Sequence, residues 1–84
     1  MNKKIKFRRG DLIVSNINII DETNGSIYIR KDVIYKVVNV LTFAGDHIYH
    51  ILNEKQVNVI DEYEIEYFIS FNEWRDNKIE RILE

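Results

Sequence analysis

Apolar residues in this chain recur in short runs, and most runs alternate with polar residues at every second position. Such alternation is typical of β-strands that have one buried and one exposed face. The runs are rich in β-branched and aromatic residues and are separated by glycine, asparagine and aspartate, which favour turns. They predict strands at about 11–17, 27–29, 33–43, 47–52 and 57–60.

The longest of these runs, 33–43, carries apolar residues at both odd and even positions. This pattern predicts a central strand, a strongly bent strand, or one with a β-bulge that switches its faces. The Ala-Gly-Asp sequence at 44–46 predicts a hairpin turn directly after it, and Asn24-Gly25 predicts an earlier turn.

Residues 60–69 fit two patterns. Tyr63, Ile65 and Tyr67 alternate with glutamates as a strand requires, but Ile60, Tyr63 and Tyr67 also fall at helical spacing. Six of the ten residues are β-branched or aromatic, so the sequence favours a strand that runs to about Ile69.

The C-terminal segment has the pattern of a helix over about 71–83. Ser70 and Glu73 match a capping box, with Ser70 as the N-cap. Behind them, apolar residues fall on one broad helical face; they are Phe71, Trp74, Ile79, Ile82 and Leu83. A helix of this length is not stable alone, so we expect this face to pack on the rest of the domain.

Three motifs carry a resemblance to a known group of proteins. They are Phe7-x-x-Gly10-Asp11-x-Ile13-Val14, Ile34-Tyr35-Lys36-Val37-Val38-Asn39-Val40 and Tyr67-Phe68-Ile69-Ser70-Phe71-Asn72-Glu73-Trp74-Arg75. The chain resembles the small SH3-like barrel proteins of phages and prophages of low-GC Gram-positive bacteria. The motifs are shared with many SH3-like barrels, including KOW-type modules, but Asp32 stands where many of these have a glycine.

The resemblance implies a mainly β fold, namely a small SH3-like antiparallel barrel of about five strands with a C-terminal α-helix. It implies no specific activity and assigns no functional residues. A length of 84 residues corresponds to a single domain over 1–84, in which residues 1–9 form a basic N-terminal arm or an edge strand.

Charge is unevenly distributed along the chain. The formal net charge is −2, but the first nine residues contain five basic side chains and no acidic one. These residues, which we call the basic arm, are Lys3, Lys4, Lys6, Arg8 and Arg9. Carboxylates are concentrated in the acidic-aromatic segment, residues 61–67. This asymmetry indicates either self-association or two separate contacts.

The sequence contains no cysteine, so it predicts neither a disulfide framework nor a thiolate metal site. It contains no apolar run of the length that spans a membrane, and its N-terminus lacks the apolar region of a signal peptide. We therefore expect a cytoplasmic protein without a membrane contact, and the resemblance implies that the cytoplasm is that of a bacterial host.

Candidate catalytic and metal sites are weak. His47 and His50 are three residues apart on a predicted strand, so they point to opposite faces and cannot share one metal ion. The serines lack a nucleophile motif, and no glycine-rich phosphate loop is present. The sequence predicts no enzyme, no cofactor and no metal site.

Binding to another macromolecule is the predicted function. The first hypothesis is a protein-binding module that contacts a host or phage protein through Asp61, Glu62, Tyr63, Glu64, Glu66 and Tyr67. The alternative is a nucleic-acid-binding module in which the basic arm holds phosphates and Phe7 stacks on a base. A pI of about 5.7 disfavours this alternative, and a homo-oligomer is compatible with either hypothesis.

Overall fold

Seven short strands and one α-helix make up most of the structure. The computed structural model describes residues 5–83 and their side chains as far as residue 78. The elements are β1 (Leu12–Ser15), β2 (Ile19–Ile20), β3 (Ile27–Ile29), β4 (Ile34–Phe43), β5 (Asp46–Asn53), β6 (Gln56–Ile60), a 3₁₀ helix (Glu64–Tyr67), β7 (Phe68–Ser70) and α1 (Phe71–Leu83). The predicted mainly β fold with a C-terminal helix is confirmed.

The strands form two antiparallel sheets. The larger sheet has the order β6-β5-β4-β1-β7, and β2 pairs with β3 in the smaller one. β1 lies between β4 and β7, so the first and last strands of the chain are neighbours. Within the described residues β6 and β7 are the edges of the larger sheet, which is therefore open. The prediction of a barrel is wrong in this respect, because the chain between β6 and β7 turns instead of continuing as a strand.

β4 contains the bulge that its two-sided apolar pattern predicted. Val37 pairs with Ile51, whereas the next pair joins Asn39 to His50, so Val38 is an extra residue in the ladder. The bulge changes which positions face inward: Tyr35 and Val37 are buried before it, and Val40 packs against the core after it. A bulge also bends its strand and increases the local twist.

The core is a single cluster that draws on almost every element. Its buried residues are Phe7, Ile13, Ile29, Tyr35, Val37, Tyr49, Ile51, Ile60, Ile65 and Phe68. In β5 the inward positions alternate strictly, because His47, Tyr49 and Ile51 are buried while the residues between them are more exposed. Burial of this apolar surface is the main force that holds so short a chain together.

Residues 61–67 do not form the strand that the sequence favoured. The Asp61 carboxylate accepts hydrogen bonds from the backbone N–H groups of Tyr63 and Glu64, both at 2.9 Å, and the Ile65 N–H donates to the Asp61 carbonyl at 3.0 Å. These local bonds satisfy backbone groups that a strand would have paired with a neighbour. The chain therefore enters the 3₁₀ helix, and extended structure returns only in β7.

The basic arm does not form an edge strand in its described part. Residues 5–10 have no strand structure, and their backbone is tied to the domain at several points. The Lys6 N–H donates to the Tyr49 hydroxyl at 3.0 Å, and the Gly10 N–H donates to the Val37 carbonyl at 2.7 Å. Lys3 and Lys4 lie outside the described residues.

α1 begins as the sequence predicted. The Glu73 N–H donates to the Ser70 hydroxyl at 3.1 Å, which is the N-cap bond of a capping box. Trp74 is half-buried, stacks on Phe71, and donates its indole N–H to the Asp32 carboxylate at 3.1 Å. The helix lies beside β1 and β7. The side chains of the later predicted apolar residues, Ile79, Ile82 and Leu83, lie outside the described part.

Candidate functional site

The acidic-aromatic segment places its predicted contact residues in different environments. Tyr63 is exposed, with 79% of its surface accessible, and Tyr67 and Glu66 are also exposed. Ile65, which lies among them, is buried in the core. The 3₁₀ turn thus anchors the segment through one apolar side chain and presents two tyrosines and a carboxylate to solvent.

Glu62 is not part of this exposed set. It is buried, and its carboxylate accepts the His47 backbone N–H at 2.8 Å. The same oxygen lies 3.9 Å from Nε2 of the His47 ring. His47 in turn contacts Thr42 through Nδ1 at 3.0 Å. Glu62 therefore links the segment to the β4–β5 hairpin, and we no longer assign it to a contact surface.

Asp61 and Glu64 differ in how far their carboxylates are available to bind a partner. The Asp61 carboxylate is occupied by the two backbone N–H groups that start the 3₁₀ helix. Glu64 accepts the Asp61 N–H at 3.3 Å and is half-buried, and it lines a groove beside the segment. Glu64 and Glu66 do not lie on one strand face, since both residues belong to the 3₁₀ helix.

This groove runs between the β2–β3 hairpin and strand β6, and we call it the acidic groove. It is open to solvent, has a volume of about 680 Å³, and is lined by Ile19, Ile20, Asp21, Glu22, Thr23, Tyr28, Asn58, Val59 and Glu64. The charged residues of this lining are all acidic. Exposed Ile20 and Val59 provide apolar surface in the same groove.

One of the groove carboxyl groups, that of Asp21, has a lowered pKa. The Thr23 hydroxyl donates to Asp21 Oδ1 at 2.6 Å and the Thr23 N–H donates to the same oxygen at 2.8 Å. These two hydrogen bonds lower the pKa of the Asp21 carboxyl from its ordinary value of 3.8. Asp21 is therefore charged at neutral pH and is held in a fixed orientation by the hairpin.

A smaller depression of about 300 Å³ adjoins the acidic groove and shares Asp21, Tyr28 and Asn58 with it. Its other lining is largely amide and hydroxyl groups, together with Arg30. The Tyr35 hydroxyl accepts the Arg30 backbone N–H at 2.9 Å, which fixes this side of the hairpin. The two depressions form a continuous concave surface that is acidic at one end and neutral to basic at the other.

The described part of the basic arm lies against the acidic-aromatic segment. Lys6 Nζ donates to the carbonyls of Ile65 and Glu66 at 3.3 and 3.4 Å. Cations interact favourably with the carbonyl end of a helical turn. Arg8 and Arg9 are exposed. Phe7 is buried in the core, so the prediction that it stacks on a base is wrong.

The two histidines occupy opposite faces of β5, as their spacing predicted. His47 points inward, whereas His50 shares the other face with Ile48 and Leu52. The described residues contain no group of three or more side chains suited to hold a metal ion. No described helix is long and apolar enough to cross a membrane.

Sequence reasoning missed the β2–β3 half of the acidic groove. Asn24-Gly25 did predict the turn at its tip, and Gly25 has a positive φ of 75° there. The position of Asp21 and Glu22 opposite Glu64 depends on how the hairpin folds back toward β6, which is a long-range contact without a local signal. Comparisons with protein-family models, with curated proteins and with solved structures find no match for this chain.

Proposed function

We propose that this chain is a non-enzymatic binding module that holds a basic, partly apolar segment of another protein in the acidic groove. The observation that carries the proposal is the lining of that groove. Asp21, Glu22 and Glu64 converge on it from two separate elements, and none of the described basic residues lines it.

The negative charge of the groove indicates that the expected partner is positively charged. Three carboxylates around one concave surface attract lysine and arginine side chains, and clefts focus such fields. The net charge of −2 would not by itself repel nucleic acid, but phosphates would face these carboxylates directly. Electrostatic complementarity therefore favours a basic polypeptide over a polyanion.

The apolar surface of the groove indicates that the partner also carries apolar side chains. Ile20 and Val59 are each about half exposed on the groove, and Tyr28 is half-buried beside them. Burying such side chains contributes about 25 cal/mol per Å² of apolar surface. A segment that places aliphatic side chains between basic ones would satisfy both features. Tyr63 and Tyr67, exposed on the adjoining 3₁₀ turn, are candidates for the edge of the contact.

The SH3-like resemblance is consistent with this role. A single core enclosed by an antiparallel sheet, whose last strand returns to pair with the first, supports a fold of that kind. Small β modules of this size commonly serve as binding domains, although fold alone does not name a ligand. A host or phage protein in the bacterial cytoplasm is the partner that we propose on the basis of the resemblance.

The nucleic-acid alternative has less support from the described residues. Within residues 5–10, Phe7 is in the core and is not available to stack on a base, and the Lys6 Nζ donates to backbone carbonyls, whereas Arg8 and Arg9 are exposed. Counterion release from these two arginines alone would be small.

The test compares two variants that remove the same number of charges. Glu22→Gln with Glu64→Gln removes two of the three groove carboxylates, and Glu54→Gln with Glu73→Gln removes two exposed carboxylates elsewhere. Binding is measured by fluorescence anisotropy with labelled peptides that alternate arginine and leucine, and with peptides in which glutamine replaces arginine.

We expect only the groove variant to weaken binding of the arginine peptides, by roughly 2- to 30-fold if each lost ion pair contributes about 0.2–1 kcal/mol. Equal binding by both variants would assign the contact to another surface. Capture of host proteins with and without nuclease completes the test, because nuclease-sensitive recovery would assign the function to nucleic acid.

A further inference from the structure

The outer side of strands β4, β5 and β6 is largely apolar. Residues directly opposite each other in antiparallel strands share a face, and the ladder pairs Leu41 with Ile48 and Leu52 with Val57. Phe43 and Val59 lie on the same side, next to Asp46 and His50 respectively. We call these six apolar residues the outer face.

The side chains of this face are exposed over much of their apolar surface. The accessible fractions are 74% for Phe43, 44% for Leu41, 52% for Val57 and 56% for Val59. Together with the half-buried Ile48 and Leu52, the exposed parts of these side chains amount to on the order of 450 Å² of apolar area. The largest apolar patches on monomeric proteins are about 300–600 Å², and they are often functional.

The rest of the sheet is covered differently. α1 lies beside β1 and β7, which are at the opposite end of the strand order from β6 and β5. Val14 in β1 is fully buried although it is outside the main core cluster. The outer face is therefore the portion of the sheet that the described helix leaves open.

Two charged side chains border this face at its opposite ends. Lys36 pairs with Leu52 at one end of the β4–β5 ladder, and Asp46 pairs with Phe43 at the other end. The interior of the face, between these ends, contains apolar residues together with Asn39 and His50. A second copy of the same surface matches this distribution: apolar residues in the middle, with opposite charges at the two ends.

We propose that the outer face is the interface of a symmetric homodimer in which the strands of the two copies run antiparallel. A two-fold axis perpendicular to the strands places the Lys36 end of one copy over the Asp46 end of the other. An axis parallel to the strands would instead bring the two Asp46 residues together. Stacked sheets lie about 10 Å apart, so the charges of the antiparallel arrangement come within range of each other at the rim.

The size of the face fits a modest but specific interface. In a two-fold interface the same patch contributes from both copies. The outer face and its rim would bury roughly 1,000–1,200 Å² in total, which lies at the lower end of specific protein–protein interfaces. Asp21, Glu22 and Glu64 lie outside this interface, but Val59 borders both the outer face and the acidic groove. The dimer is therefore tested at Phe43 and Leu41, which do not line the groove, so its failure and that of the proposed peptide site are distinguishable.

The first test measures the oligomeric state of the full chain by sedimentation equilibrium over a range of concentrations. Phe43→Asp places a charge in the face and should weaken the dimer at least about tenfold, because exposed aromatic anchors dominate such interfaces. Ile17→Asp places the same charge on an exposed isoleucine outside both the outer face and the acidic groove, and it should leave the dimer intact. Leu41→Lys is a second face variant, and circular dichroism verifies that each variant is folded.

The second test determines the relative orientation of the two copies. Lys36→Asp and Asp46→Lys should each weaken the dimer, and the combination of both in one chain should restore it. Because the chain has no cysteine, Lys36→Cys and Asp46→Cys also introduce unique thiols. In a mixture of these two variants, a thiol-reactive crosslinker that spans about 10 Å should join positions 36 and 46 in preference to 36–36 or 46–46, because stacked sheets are too far apart for a direct disulfide.

A monomer at all concentrations would overturn the proposal. A dimer that is equally stable in the Phe43 and Leu41 variants would also overturn it, since that dimer would use another surface. Preferential 46–46 crosslinking would reject the antiparallel arrangement.

Discussion

Among the described residues, three other than glycine have a left-handed backbone, and each is at a turn. They are Asp32, Ala44 and Glu54, with φ values of 63°, 53° and 55°. Aspartate tolerates this region better than most residues, and Asp32 is further held by the Trp74 indole N–H. Ala44 has no side-chain group that compensates for the strain. It precedes Gly45, whose φ is also positive, as a type I′ hairpin turn requires at both central positions.

Replacing Ala44 should therefore change stability in a predictable direction. Asparagine is favoured at this position of a type I′ turn, so Ala44→Asn should raise the free energy of unfolding by about 0.5–1 kcal/mol. Thermal denaturation measures the change, which corresponds to roughly 2–8 °C for a domain of this size. Ala44→Val is the control and should lower stability, because a β-branched residue is poorly accommodated at positive φ. Equal melting temperatures for the three proteins would show that the turn is not strained.

Asp21 gives a prediction about pH. Hydrogen bonds from the Thr23 hydroxyl and the Thr23 N–H lower the pKa of its carboxyl in the folded protein. A lowered folded-state pKa adds stability that is present above the ordinary value of 3.8 and is lost as the pH falls through the folded-state value. Thr23→Val removes the hydroxyl and should raise the pKa of Asp21 toward 3.8, as followed by NMR titration of the carboxyl carbon. An unchanged pKa would mean that the backbone hydrogen bond alone is sufficient.

At the scale of elements, local signals were readable from the sequence and long-range ones were not. Ser70 and Glu73 define the start of α1 through side chains within one turn, and the structure has that helix. Both parities of β4 are apolar, and the structure has the bulge. The Asp61 carboxylate accepts two backbone N–H groups, and these hydrogen bonds start the 3₁₀ helix in a segment whose alternation favoured a strand.

The N-cap of α1 is the element whose contribution is most directly testable. Ser70→Ala removes the hydroxyl that accepts the Glu73 N–H and should destabilise the domain by about 1 kcal/mol. Chemical denaturation measures the loss. Ser70→Asp retains an acceptor and places a negative charge at the helix N-terminus, so it should remain close to the parent protein. If both variants lose the same stability, Ser70 acts through β7 rather than through the cap.

At the scale of the whole molecule, the N-terminal segment is part of the folded unit. The sequence predicted that residues 1–9 form a basic arm or an edge strand. In the structure Phe7 belongs to the core, and Lys6 forms hydrogen bonds with both β5 and the 3₁₀ helix. Periodicity could not reveal this, because a single aromatic residue among charges has no pattern. The same limitation hid the acidic groove, whose two sides come from sequence positions some 40 residues apart.

Truncating Phe7 should consequently be more damaging than truncating Trp74. Phe7→Ala removes a buried aromatic side chain and should cost about 3–5 kcal/mol, a large part of the stability of a small domain. Trp74 is only half-buried, so Trp74→Ala should cost less than Phe7→Ala in the same urea titration. The reverse order would place α1, rather than the N-terminal segment, at the centre of the domain's stability.

The bulge in β4 also affects which single-codon deletions the gene can tolerate. Val38 is the residue that the ladder to β5 skips, since Val37 and Asn39 pair with the consecutive residues Ile51 and His50. Loss of the Val38 codon would leave every other pair of that ladder in register, whereas loss of one codon elsewhere in the strand would have to be absorbed by removing the bulge. Deletion of Val38 would thus keep the alternation of buried and exposed residues and reduce the bend of the strand, whereas deletion at another position would turn the residues between that position and the bulge to the opposite face.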